Sequence, residues 1–148
     1  MKAPFLIGRI LFGGYFLYNG INHFQKRKML SEYAGSKNIP APNVAVTVTG
    51  ALMLLGGASL LLGAKPKLGG AAIMGFLAGV SPFMHDFWRV QDPNQRMNEM
   101  VNFTKNMALL GGALALTGVD EPWPVSLPMT RPRGLDRIRS FAKRTVAA

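Results

Sequence analysis

The sequence predicts an all-α protein, a four-transmembrane-helix bundle followed by an extended, Pro-rich, basic C-terminal tail. Three observations carry that expectation. Of 148 residues, 49% are hydrophobic and only 16% are charged. The charges are excluded from long windows close to the roughly 20 apolar residues that a helix needs to cross a bilayer core. Those windows also lack the polar stripe that a core helix of a soluble bundle turns to water. Period-two alternation, the mark of a transmembrane β-barrel, is absent as well.

The elements follow in order. Ile10–Gln25 is 16 residues without charge, and only Arg9 separates it from Ala3–Gly8, so the first span runs from Ala3 to Phe24. Lys2 before this apolar run resembles the start of a signal sequence, and the spans that follow favour an uncleaved anchor. Asn38–Ala64 is 27 residues without charge, with Val44–Gly63 as its apolar part. Leu68–His85 is 18 residues without charge. Asn106–Val119 is only 14 and reaches spanning length by starting near Met100 and tolerating Lys105, whose long side chain can snorkel. Fifteen of the 17 glycines lie in or at the ends of these spans. Small residues suit helices that associate in lipid by close backbone approach. The membrane domain is thus expected over residues 1–119, and the tail over 120–148.

The charge balance narrows the partners. Seventeen Lys and Arg against seven Asp and Glu give a net charge of +10. A nucleic-acid binder would cluster such charge on a folded polar face. Here it flanks apolar spans, so no nucleic-acid partner is expected, and the bilayer and other membrane subunits are. Nine positive charges fall on the side of the termini and seven on the opposite side, which favours both termini in the cytoplasm of a bacterial inner-membrane protein. Asp120–Pro132 holds four prolines and reads as extended, with Trp123 suited to the membrane interface. Beyond it, Leu135, Ile138 and Phe141 recur at helical spacing among Arg131, Arg133, Arg137, Arg139, Lys143 and Arg144. Such a basic amphipathic segment is expected to clamp an acidic partner protein.

Polar residues gather at the face opposite the termini. Asn19, Asn22 and His23 close the first span on one helix face. His85, Asp86 and Trp88 close the third. Glu99, Asn102, Lys105 and Asn106 open the fourth. Polar groups at membrane depth are costly and tend to mark function. The expectation is that His85 and Lys105 lie close in space, with Asp86 between His85 and either Arg89 or Lys105. An equally simple reading makes the cluster an interface belt of capping and aromatic residues. A third makes His23 and His85 axial ligands of a haem, which two histidines at similar depth permit without specifying. Cysteine is absent, so no disulfide, thiolate metal site or iron–sulfur ligation is possible. No intrinsic cofactor and no metal site are predicted, haem is disfavoured, and quinone is the candidate ligand. No phosphate loop, HExxH motif or nucleophile elbow is present.

Three stretches carry a family resemblance: Arg9-Ile10-Leu11-Phe12-Gly13-Gly14-Tyr15-Phe16-Leu17-Tyr18-Asn19-Gly20, then His85-Asp86-Phe87-Trp88, then Phe103 through Gly112. Together they resemble the DoxX-like proteins, small four-helix bacterial membrane proteins, over residues 5–118. The resemblance implies kinship with the membrane subunit of thiosulfate:quinone oxidoreductase and with accessory proteins of membrane redox assemblies. It points to Arg9, Gly20, His85, Asp86, Trp88, Lys105 and Asn106 as shared residues. Asn22 and His23 stand where the family often has a charged residue, and no thiosulfate-specific feature is recognisable.

The leading functional expectation is an accessory or scaffolding subunit of a bacterial electron-transfer complex. The alternative is a subunit that itself binds and reduces quinone at Asn19, Asn22, His23, His85, Asp86, Trp88, Lys105 and Asn106. The second alternative is a small-molecule transport or membrane-maintenance protein.

Overall fold

A computed structural model describes residues 3–127 of the chain; the basic tail segment from Arg131 to Arg144 lies outside the described residues. Every described element is helical: α1 (Ala3–Gln25), α2 (Arg27–Ser36), α3 (Pro42–Leu62), α4 (Pro66–Met84), a 3-10 turn (Phe87–Arg89) and α5 (Pro93–Thr117). Four of them are long, and they alternate up and down. The short α2, which the charge pattern does not reveal, lies across one end. Two stretches, Pro42–Leu62 and Pro66–Arg89, are long and apolar enough to cross a membrane.

Local chemistry sets the helix ends. α3 and α4 each carry Pro at the first turn, where a missing N–H costs nothing. Gly63 closes α3 in the left-handed conformation at φ 63°, and the N–H groups of Gly63 and Ala64 return to the carbonyls of Leu60 and Ser59. The Ser59 hydroxyl donates to Ala64 O at 2.7 Å and pins the turn into α4. α5 begins with Asp92 accepting from Gln95 N at 2.8 Å, followed by Pro93. Pro82 sits in the last turn of α4 and removes a ladder donor there.

Glycines decide which long helices touch. A Cβ on Gly57 of α3 would stand 2.6 Å from Leu17 N and 2.8 Å from Gly13 O, both backbone atoms of α1. A Cβ on Gly20 would meet Leu54 N at 2.8 Å, so the approach continues up the α1–α3 seam. Gly56 faces Gly69 and Ile73 in the same way and joins α3 to α4. α1 meets α4 through bulky rings instead: Phe16 and Phe76 lie 6.3 Å apart between centroids. The buried core runs along these seams through Phe16, Met53, Leu60, Ile73, Leu77 and Ala113.

At the end opposite α2, the chain after α5 folds back onto the bundle. Trp123 is 2% exposed and packs edge-on against Phe5 at 5.2 Å. Arg9 is also 2% exposed and explains the fold-back. Its guanidinium donates to Pro124 O at 2.6 Å, Val125 O at 2.9 Å and Leu61 O at 2.7 Å. The planar fork suits several carbonyls at once. Leu127 N then reaches Leu62 O at 3.0 Å. Val125 adopts φ 51°, a costly conformation for a β-branched residue, and its carbonyl is one of those that Arg9 holds.

Arg9→Ala strands three carbonyls in a buried setting, at a cost of about 3 kcal/mol. The variant should unfold at a lower temperature in mild detergent and be cleaved between residues 118 and 127 by a protease that spares the parent. Equal melting and equal cleavage would show that the fold-back stands without Arg9.

Candidate functional site

The site lies at the α2 end, where α1 and α4 are held apart by their rings. A cavity of about 460 Å³ opens there, walled mainly by apolar side chains of α1, α3 and α4 and roofed by Leu30, Tyr33 and Ala34 of α2. Its polar lining is sparse: Asn19 and His23 from α1, Thr49 from α3, His85 from the end of α4, and Asn106 from α5. Gly50 makes room for His23, since a Cβ there would sit 3.1 Å from His23 Cβ. The His23 ring meets Phe76 edge-on at 6.3 Å. Asn106 is 8% exposed and faces the cavity, and no group among the described residues hydrogen-bonds its amide. Its amide opens onto the cavity space and has both donors and an acceptor to offer a small molecule or water there.

An ionic cluster forms the rim. Glu99, 6% exposed, accepts at Oε2 from His85 Nδ1 at 2.8 Å. Its Oε1 accepts from Lys37 Nζ at 3.2 Å and from the Tyr33 hydroxyl at 3.3 Å. Lys37 Nζ also reaches Asp86 Oδ1 at 3.1 Å. Lys37 therefore bridges the carboxylates at the end of α4 and the start of α5, and it ties the α2–α3 connection to both. An ionised carboxylate only accepts, so Nδ1 of His85 is the protonated nitrogen and Nε2 is its remaining polar atom.

The charges stabilise one another. Burial works against the charge on Lys37, but its hydrogen bonds to Asp86 and Glu99 outweigh burial and hold its pKa above the usual lysine value. Burial likewise works against the Asp86 carboxylate, and the Lys37 ammonium outweighs it, holding Asp86 below the usual range. Tyr33 is pushed up, first by burial and then by the charge of Glu99.

The structure brings together four residues that the sequence singles out: Asn19, His23, His85 and Asn106 all line the cavity. Asp86 stands at the rim, in the ionic cluster. Asn22 is half-buried and outside the lining. Trp88 is 49% exposed and packs on Phe87 and Phe103 at 5.1 and 5.7 Å, so it belongs to an aromatic group on the surface. Lys105 is exposed and donates to Asn102 on its own helix at 2.9 Å. The expected His85–Asp86–Lys105 arrangement is therefore corrected. Consecutive helical residues point about 100° apart, and Asn106 is the one turned inward. The cation bonded to Asp86 is Lys37, and the charge of Arg89, the other expected neighbour, also acts on it. Lys37 and Tyr33 were missed because α2 was missed. The signal was present in Leu30 and Ala34, one turn apart, and in two acids that require a cation.

The sign of each shift sets a pH window. Asp86, lowered from 3.8, contributes stability above that pH and loses it as pH falls through its folded value. Lys37, raised from 10.5, contributes below that pH and loses it as pH rises through its folded value. Lys37→Met removes the shared cation and should cost about 2 kcal/mol between pH of about 5 and 9. The difference in melting temperature between parent and variant should be constant there and shrink at either extreme. A difference that instead peaks at low pH would rule out the Lys37–Asp86 pair as its origin.

A family model described as DoxX matches residues 5–86, more than half of the 148-residue chain. No curated protein and no solved structure matches it. The matched segment runs from α1 to the end of α4. It includes Arg9, which holds the fold-back, Gly20, which lies in the α1–α3 seam, and the pair His85-Asp86 at the cavity rim. On that match, the chain belongs to the DoxX family of membrane proteins.

Proposed function

We propose that the protein is an integral-membrane subunit of a bacterial redox assembly, and that its cavity holds the headgroup of a lipid-soluble quinone. All four long helices would cross the inner membrane with both termini in the cytoplasm. One observation carries the ligand reading: an apolar cavity with few polar groups, His85 near the rim and the Asn106 amide about 10 Å deeper along α5. A quinone head has two carbonyl oxygens that need donors, and its ring and chain need apolar walls. The Asn106 amide supplies one donor. Glu99, bonded to Nδ1, orients the His85 imidazole and leaves Nε2 to accept from a hydroxyl of the reduced ring. The assembly reading rests on the family resemblance and on the basic tail, whose proposed role is to clamp an acidic partner.

Two measurements test this. Purified protein in mild detergent should bind a short-chain benzoquinone in its reduced form, and His85→Ala or Asn106→Ala should weaken binding roughly tenfold, the value of one hydrogen bond of about 1.4 kcal/mol. Binding unchanged in both variants would place the ligand elsewhere. A C-terminal reporter should be active in the cytoplasm, since nine of the positive charges outside α1 lie on that side against seven. Activity only in the periplasm would reverse the topology.

A further inference from the structure

The cavity is not sealed toward the side of the bundle. Of its lining residues, Tyr33 of the roof is exposed, and at the side so are Tyr15 on α1 and Gly75, Gly79 and Phe83 on α4. The side residues stand where α1 and α4 are separated. Gly75 and Gly79 precede His85 by ten and six residues, roughly 15 and 9 Å along a helix that rises about 1.5 Å per residue. Both lie inside Pro66–Arg89, one of the two stretches fit to cross a membrane. The opening therefore faces the hydrocarbon layer, away from the aqueous rim. A Cβ on Gly75 or Gly79 would meet nothing within 4 Å, unlike one on Gly56, Gly57 or Gly69. Among the described residues, no neighbouring helix packs against the Cβ position of either glycine. They leave the edge of the opening without side chains.

We infer that Gly75 and Gly79 form the lip of a lateral portal through which a single-chain amphiphile passes from the bilayer. Its ring lodges at His85 and Asn106, and its alkyl or isoprenoid chain leaves between α1 and α4. This inference rests on the quinone reading of the cavity and adds the path of the chain to it. The cavity volume of about 460 Å³ lies in the range that takes a whole drug-sized ligand, which gives room for a ring and the first part of a chain. The lining gives the direction: His85 and the ionic rim stand at the α2 end, and Phe16, Met53, Phe76 and Leu77 line the part toward the middle of the bundle, with the Asn106 amide about 10 Å below His85. A free aqueous solute would have no use for an opening at hydrocarbon depth, whereas a lipid-soluble one diffuses to it directly.

The test uses the full chain in lipid nanodiscs and two decyl-benzoquinone probes, one with an azide on the ring and one with a diazirine on the terminal carbon of the chain. The ring probe should label the peptides around His85 and Asn106. The chain probe should label Tyr15 or the stretch from Gly75 to Phe83. Excess unlabelled decyl-benzoquinone should suppress both. Gly75→Phe should fold, because open space surrounds the position, and should cut labelling by the chain probe roughly tenfold by filling the space of a few methylenes. A melting temperature equal to that of the parent confirms the fold. Ring labelling at His85 with chain labelling on α2, or unchanged labelling in folded Gly75→Phe, would overturn the portal and leave the quinone site standing. Competable labelling by neither probe would overturn both. Labelling of the opening by a phospholipid with an acyl-chain diazirine, undiminished by excess quinone, would show a gap filled by bulk lipid and overturn the portal.

Discussion

The backbone contact between α1 and α3 shapes the rest of the molecule. Helices in lipid gain little by hiding apolar surface, so they hold together where their backbones approach. Gly57 lets α3 lie directly against Leu17 and Gly13 of α1, and Gly56 does the same for α3 against α4. α3 is thereby pinned on two sides. α1 and α4 flank it but face each other through Phe16 and Phe76, whose rings keep the two helices apart. The cavity is the space that this inequality leaves. Its position is thus a consequence of where glycine stands on α3 and where phenylalanine stands on its neighbours.

Electrostatics closes the upper end of that space. Glu99 is buried and Asp86 lies near it, and two carboxylates without a cation would pay heavily for desolvation. Lys37 lies between them and draws the end of α2 down over the cavity. The roof is therefore held by charge as well as by Leu30 and Ala34. His85 is part of the same group through Glu99, so whatever alters the charge at the roof is felt at the ring that faces the cavity. Four adjacent side chains, His85, Glu99, Lys37 and Asp86, thus tie the ring that faces the cavity to the placement of α2.

The opposite end uses a different device. Among the described residues, the hydrogen-bond acceptors of the buried Arg9 include no carboxylate. Three backbone carbonyls share its charge instead. Carbonyls left over at a helix end and in an irregular segment need donors at that depth. One guanidinium supplies them and fastens residues 119–127 across the end of α3.

Much of the architecture was legible in the residues. The charge-free windows marked the long helices, and Gly63 marked the end of one. Glycine content announced close packing, and the placing of Asn19, His23 and His85 toward one end followed from helix direction alone. Periodicity could not say which residue of an adjacent pair turns inward, so Lys105 and Asn106 were both candidates and only Asn106 faces the cavity. It could not supply Lys37, because α2 is too short and too polar to register as a span. Nor could it show that Arg9 and Trp123, more than a hundred residues apart, share one buried corner. Local pattern determines element type and length, since these depend on neighbours in sequence. Which carbonyl meets which guanidinium, and which cation answers a buried acid, depends on contacts between helices distant along the chain, and only their packing decides it.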